Sequence, residues 1–363
     1  MTSVNDVSTP AVLIDVDVLQ RNIAHMAERA RAAGVRLRPH GKTHKLLEVG
    51  RLQLAAGAGG LSLAKTSEAE VFAAAGFDDI FVAYPVVGAD KGRRLLALAE
   101  RIRLAVGVDS VDGARTLGTV FASAGRRLDV RLKIDSGLHR VGVLPEQAPS
   151  VARAIADLPG LQLTGVFTHA GHAYGETAAN GVAAVGQHEG GTMSAVAEAL
   201  RRAGLEIKTV SVGSTPTARH AMTVAGVTEC RPGNYVYHDA SQVSLGTCGL
   251  EDCAMTVVAT VVSTPAPDRA VLDAGSKTLS TDPLRPRAEG HGWVLGRKAR
   301  LSKLSEEHGV LGVEEGERFR VGERVRVLPN HACVVSNLHD RVLAVRGERV
   351  EAEWRVAARG RVE

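Results

Sequence analysis

The run RPHGKTHK at positions 38–45 gathers Arg38, His40, Lys42, His44 and Lys45 into one short stretch. A lysine amine crowded by other cations or removed from water loses part of its preference for the charged form. The neutral amine is then a nucleophile toward an aldehyde. A solvated surface lysine is the ordinary alternative. In DSGLHRVGV at 135–143, Arg140 is placed to hold a phenolate or carboxylate through charge-assisted bonds, the alternative being an ion pair with Asp135. THAGHAY at 168–174 sets His169 and His172 three residues apart beside Tyr174, suited to acid–base work or to stacking on an aromatic ring.

Two further loops read as anion sites. In GSTPT at 213–217, Gly213 permits close backbone approach, and Ser214, Thr215 and Thr217 offer hydroxyls ahead of a helix start; a simple helix cap is the alternative. RPGNY at 231–235 supplies Gly233, Asn234 and Tyr235, which can close the same site. PNHAC at 329–333 would put His331 and Cys333 on one face if the segment is extended. Such a pair can bind a borderline-soft ion such as zinc, with water or substrate in the open positions. Two ligands are few, however, and a buried cysteine beside a surface histidine is the common alternative.

Each of the first five motifs follows a stretch with strand character. Residues 35–38, 61–64, 79–83, 103–108, 129–134, 161–168, 209–212 and a weaker 230–235 are β-branched or apolar runs, with helical patterns such as 18–33 and 67–75 between them. Eight alternating units predict a TIM-type (β/α)8 barrel, whose reactive groups lie past the C-terminal strand ends. After about residue 245 the pattern changes to β-rich runs at 254–263, 269–273, 324–328 and 341–346 with no long helix, and TPAP at 264–267 reads as a turn. The fold expected is therefore α/β: a barrel over 10–245 followed by a mainly β domain over 246–363, with residues 1–9 packing on the latter.

The composition narrows the function classes. The 363 residues carry a formal charge of +4 spread along the chain, without the basic block of a phosphate-backbone binder, and aromatics are scarce, so no nucleic-acid partner is expected. No stretch approaches the roughly 20 apolar residues of a membrane helix and the N-terminus lacks an apolar signal core, so a cytoplasmic protein without membrane partner is expected. Four irregularly spaced cysteines do not make a disulfide framework.

Taken together, PHGKTHK at 39–45, GSTPT at 213–217, PGNY at 232–235, LSEEHG at 304–309 and PNHAC at 329–333 resemble the fold-type III pyridoxal-phosphate enzymes, within them the D-serine dehydratase and D-threonine aldolase family. The resemblance covers nearly the whole chain. It implies that Lys42 carries the cofactor as a Schiff base and that Arg140 contacts its phenolic oxygen. It also implies that Gly213 to Thr217 with Tyr235 hold the phosphate, and that His331 and Cys333 bind a divalent metal, zinc or alternatively manganese or magnesium. His172 matches the histidine that aldolases of this family use near the substrate hydroxyl. His169, Tyr174, Gly233 and Asn234 complete the expected cofactor site, and a homodimer is implied as well.

The activity so implied is a lyase reaction on D-3-hydroxy amino acids. In dehydration, Lys42 removes the α-proton while the metal activates the β-hydroxyl, giving a 2-oxo acid and ammonia. In retro-aldol cleavage, a base such as His172 deprotonates the same hydroxyl, giving glycine and an aldehyde. The aldolases tend to have Asp where this chain has Cys333, which favours the dehydratase, with D-threonine aldolase as the alternative. A non-catalytic pyridoxal-phosphate carrier is a further alternative, disfavoured by the β domain that it would lack. Racemisation is disfavoured because the four tyrosines, Tyr84, Tyr174, Tyr235 and Tyr237, all fall in the barrel part, whereas alanine racemase draws a tyrosine base from its β domain.

Overall fold

The computed structural model describes residues 3–283 and 290–363. Residues 1 and 2, part of the segment expected to pack on the β domain, lie outside the described residues. The chain forms two compact units. One comprises His25–Lys42, Gly50–Gly233 and Arg361–Glu363, the other Thr43–Val49, Asn234–Gly360 and the chain up to Ala24.

In chain order the first strands are β1 (Ala11–Asp15), β2 (Arg36–Leu37), β3 (Leu61–Leu63), β4 (Asp79–Pro85), β5 (Arg103–Val108), β6 (Leu128–Lys133), β7 (Leu161–Phe167), β8 (Thr209–Val212) and β9 (Glu229–Cys230). Strands β2 to β9 form one sheet, in the order β2-β9-β8-β7-β6-β5-β4-β3, and every pairing in it is parallel. Its two edges meet: His40 bridges Ser62, the Gly59 amide donates to the Leu37 carbonyl at 2.8 Å, and that of Ser62 to Pro39 at the same distance. The eight strands thus close into the expected barrel. Strands buried on both faces need apolar runs rather than alternation, and Phe81, Val82, Val106, Leu132, Val166, Phe167, Val210 and Val212 are all buried. Phe81 and Phe167 meet edge to face, 5.0 Å between centroids.

Connecting helices cover the barrel because their apolar residues recur on one side. Helix Val111–Ser123 buries Ala114, Leu117 and Phe121 and starts where the Ser110 hydroxyl accepts the Gly113 amide at 3.3 Å. One barrel layer is charged. Glu229 accepts from Arg38 Nε at 2.7 Å, from Arg131 at 2.6 Å and from the Ser211 hydroxyl at 2.6 Å. Arg38 also pairs with Asp79 at 2.6 Å. Burial alone would raise the Glu229 carboxyl, but Arg131 and Arg38, with the Ser211 hydroxyl, outweigh it and hold it at about 2.

The other unit is built on β1 and on β10 (Met255–Ala266), β11 (Arg269–Leu272), β12 (Gly292–Val294), β13 (Ala299–Leu304), β14 (Gly309–Val313), β15 (Arg324–Pro329), β16 (Arg341–Arg346) and β17 (Arg349–Arg355). Six of these, in the order β10-β11-β14-β13-β12-β15, close on themselves because β10 pairs with both β11 and β15. From β10 the sheet continues through β1 to β16 and β17.

Three expectations change. Residues 11–15, expected within the barrel, instead form β1 in the sheet of the other unit, antiparallel to β10 and parallel to β16. The TPAP segment is largely strand, Ala266 pairing with Arg269, and the turn is at Pro267 and Asp268. Residues 329–333 are not extended throughout, since β15 ends at Pro329 and helix Ala332–Leu338 begins directly after His331. Among the described residues, no helix is long and apolar enough to cross a membrane.

Candidate active site

The barrel unit holds most of the predicted residues at its C-terminal strand ends. Lys42 lies in the short 3-10 turn Gly41–Thr43 after β2, with its amide donating to His40 Nδ1 at 3.4 Å. The loop is pinned by the His40 amide, which donates to the Pro232 carbonyl at 2.9 Å. Arg140 is exposed in the loop after β6. Its expected alternative partner is engaged elsewhere: Asp135 accepts the Gly137 and His139 amides at 2.9 and 3.1 Å and pairs with His139 Nδ1 at 3.1 Å.

After β7, Thr168 carries a ladder of bonds. Its hydroxyl donates to the Ile134 carbonyl at 2.8 Å and meets the Ser136 hydroxyl at 2.8 Å, and its carbonyl accepts from buried Arg231. Next in the chain, His169 Nδ1 reaches the Gly213 carbonyl at 3.4 Å, joining the loops after β7 and β8. Burial first, then Lys42, Lys133, Arg140 and Arg231, push the His169 imidazole well below its ordinary range, so it stays neutral. His172 lies in the 3-10 turn Gly171–Gly175 together with Tyr174. A β-carbon added at Gly137 would come within 3.2 Å of the His172 ring, so the glycine makes room for it. His172 Nδ1 is buried without a hydrogen-bond partner.

The loop after β8 turns at Gly213, whose φ of 111° suits glycine, and a β-carbon there would stand 2.8 Å from Cys230 Sγ. Within it, the Ser214 amide donates to Thr217 Oγ1 at 3.2 Å, and the Ser214 and Thr217 hydroxyls lie 3.0 Å apart. Thr215 is buried in the same loop.

Two residues at this site escaped the sequence reading. Lys133 ends β6, nearly buried, with its ammonium 4.7 Å from the Phe167 ring centroid. Burial, then Arg231, push its amine well below the usual lysine range. Glu189, on helix Ala179–Arg202, is fully buried and accepts both the Gly213 amide at 2.9 Å and the Thr217 hydroxyl at 2.8 Å. A polar residue recurring on the apolar side of helix 179–202 was the only sequence signal for Glu189. Lys133 had none, because strand alternation does not say how deeply a lysine is buried.

The second unit holds the remaining residues. Gly233 ends the barrel unit's chain, and Asn234 and Tyr235 open the 3-10 turn Asn234–Val236. Asn234 donates its amide to Asp239, while its Oδ1 is buried without a partner. Tyr235 is buried. Asp239 caps the helix Ala240–Ser244 and accepts the Ala332 amide at 3.0 Å, which fixes the start of helix Ala332–Leu338. That helix start, rather than an extended strand, brings the His331 and Cys333 side chains into hydrogen-bonding contact.

His331 Nδ1 binds Asp282 Oδ2 at 2.7 Å, leaving Nε2 for another partner, the arrangement typical of a metal-ligating histidine. Cys333 Sγ donates to Thr43 Oγ1 at 3.3 Å. Close to Cys333 and Glu48, the buried Tyr237 hydroxyl has no hydrogen-bond partner. These features fit a metal held by two side chains with further positions filled by water or substrate. Among the described residues, no group of three or more His, Cys, Asp or Glu is arranged to hold one.

Residues 14–241 match the model described as "Alanine racemase, N-terminal domain", and residues 254–345 match "Putative serine dehydratase domain". The chain is 39% identical over 345 residues to D-threo-3-hydroxyaspartate dehydratase of Delftia sp. (strain HT23), covering 90% of each. It is 32% identical to D-threonine aldolase of Arthrobacter sp, over 98% of this chain and 93% of the other. The solved Delftia dehydratase superposes with a TM-score of 0.92 at 37% identity, covering 98% of this chain and 99% of that one. D-threonine aldolase from Filomicrobium marinum gives 0.92 at 33% identity, over 99% and 98%. Variants of D-threo-3-hydroxyaspartate dehydratase with a histidine or a cysteine replaced by alanine have similar structures, the cysteine variant in the metal-free form. The chain therefore belongs to the alanine-racemase-like, fold-type III family of pyridoxal-phosphate enzymes.

Proposed function

We propose that this protein is a pyridoxal-phosphate- and metal-dependent lyase that dehydrates D-3-hydroxy amino acids to 2-oxo acids and ammonia. The observation that carries it is the hydrogen bond from Cys333 Sγ to Thr43 Oγ1, because Thr43 directly follows Lys42 in the chain. A metal-binding thiol bonded to the residue that follows the lysine is what removing the α-proton and activating the β-hydroxyl of one substrate requires. The metal-free form of the cysteine variant of D-threo-3-hydroxyaspartate dehydratase supports the same assignment.

When bound, pyridoxal phosphate supplies an electron sink at the substrate's α-carbon, and the metal supplies a Lewis acid at the β-hydroxyl. Lys42 Nζ would carry the cofactor, and its amine would take the α-proton. Arg140 would hold the cofactor's phenolic oxygen. His169, held neutral, and Tyr174 would hold the ring. Ser214, Thr215, Gly233, Asn234 and Tyr235 would hold the phosphate, with Gly213 and Thr217 in the Ser214 loop. His331, oriented by Asp282, and Cys333 would hold the metal, zinc by the match of imidazole and thiolate donors. His172, with its unpartnered Nδ1, serves as the base for the β-hydroxyl if the reaction is instead a retro-aldol cleavage. A cytoplasmic homodimer completes the reading.

The test is incubation of the zinc-loaded protein with D-threonine, D-serine and D-threo-3-hydroxyaspartate, with oxo acid, ammonia and aldehyde assayed in parallel. Oxo acid with ammonia is expected, and aldehyde with glycine would assign the aldolase instead. The visible band of lysine-bound pyridoxal must vanish in Lys42→Ala. A band that survives that substitution overturns the assignment of Lys42.

A further inference from the structure

The loop after β8 takes its shape from a side chain on a distant stretch of sequence. Glu189 is fully buried, and both its oxygens are engaged: Oε1 by the Gly213 amide at 2.9 Å, Oε2 by the Thr217 hydroxyl at 2.8 Å. A backbone amide and a hydroxyl each have one proton to give. The Gly213 and Thr217 protons are therefore committed to Glu189 and do not point to a phosphate. Thr217 Oγ1, its proton spent on Glu189, can only accept, and it accepts from the Ser214 amide at 3.2 Å. In its 3.0 Å contact with Thr217, Ser214 must then be the donor, its other neighbour being the Ala170 carbonyl at 3.5 Å. Of these three groups, Ser214 is the one whose proton rests on a neutral acceptor and can rotate to a bound anion, the Gly213 and Thr217 protons being held by a carboxylate. No other residue fits at Gly213 without strain, since its φ is 111° and Cys230 Sγ stands where a β-carbon would be.

We propose that Glu189 is the positioning residue of the phosphate site: it locks Gly213 and Thr217 as the scaffold of the loop and so presents the Ser214 hydroxyl to the phosphate. This rests on the pyridoxal-phosphate reading above and adds a division of labour within the loop. Gly213 and Thr217 act through Glu189, whereas Ser214 touches the ligand. A carboxylate set behind a ligand's donors also explains why an anion is tolerated there. It is bonded to two donors and shares its surroundings with Lys133 and Arg231.

The test is titration of the full-chain apoprotein with pyridoxal phosphate and, separately, with pyridoxal, which lacks the phosphate. A glutamine at 189 can accept from only one of the two donors and must turn an N–H toward the other. Glu189→Gln and Thr217→Val are each expected to weaken pyridoxal-phosphate binding about ten-fold, the scale of one lost bond to a charged group, and to leave pyridoxal binding within about two-fold. The double variant should be no weaker than the weaker single, because both remove the same link, and Thr217→Ser should restore binding. Additive losses in the double variant, equal losses for both ligands, or no loss in Glu189→Gln would each overturn the proposal. A wild-type protein that forms no Lys42-dependent visible band with either ligand would remove the pyridoxal reading beneath it, and the proposal with it.

Discussion

Replacing Glu229 by glutamine tests whether the barrel beneath the site is held by its buried charges. The Glu229 carboxylate accepts from Arg38, Arg131 and Ser211 at 2.6 to 2.7 Å, and Ser211 in turn accepts from Arg231, which holds the Thr168 carbonyl at the end of β7. Holding this carboxyl at about 2 instead of the 4.5 of an ordinary glutamate contributes about 3 kcal/mol of stability near neutral pH. The folded-state value is depressed, so the contribution is complete above about pH 4.5 and is lost as pH falls toward 2. At pH 3 about 1.4 kcal/mol of it remains. Glutamine removes the charge and leaves two buried guanidiniums less compensated, a loss of about 3–5 kcal/mol for a broken buried pair. Urea unfolding of wild type and Glu229→Gln at neutral pH and at stepwise lower pH measures the gap directly. It should be at least about 3 kcal/mol at neutral pH and shrink to about half by pH 3. A gap under about 1 kcal/mol, or one that does not change with pH, would refute the reasoning.

Gly213→Ala places a β-carbon against Cys230 Sγ at a φ of 111°, which should cost about 1–3 kcal/mol; an unchanged thermal midpoint would show that the loop relaxes instead. Asp282→Asn weakens the acceptor that orients His331 and should lower zinc affinity by roughly 10–100-fold in equilibrium dialysis against a competing chelator. Equal zinc binding by the two proteins would remove Asp282 from the site. The His169 ring, surrounded by cations, should show no protonation through the ordinary imidazole range near 6.5 when followed by NMR, and a titration there would contradict the packing described. Removing metal by chelation should abolish oxo-acid formation while leaving the Lys42-linked visible band; loss of both together would argue that the metal is structural.

Strand periodicity made the barrel readable because each β-α unit buries a short apolar run and signals it locally. The runs at 103–108 and 209–212 coincide with β5 and β8, while the predicted 230–235 shrinks to Glu229–Cys230. The short strands β12, β13 and β14 were missed, since runs of three to six residues are too short to show a period. β1 was missed as well: Ala11–Asp15 is apolar enough to be a strand, but its partners lie more than 240 residues on, and local pattern does not encode pairing.

The sequence by itself determined which side chains were chemically able to act. Lys42 among cations, the paired histidines at 169 and 172, the hydroxyl loop at 213–217 and the His331–Cys333 pair are all written in residue type and spacing, and those do not depend on how the chain packs. Tertiary structure decided which protons and lone pairs each of them has left to use. Only packing shows that Glu189 takes the protons of Gly213 and Thr217, that Asp282 occupies His331 Nδ1, and that a helix start rather than a strand brings His331 to Cys333. The reason is physical: a hydrogen bond or a desolvated charge depends on distances of a few ångströms between residues far apart in the chain, and those distances exist only once it has folded.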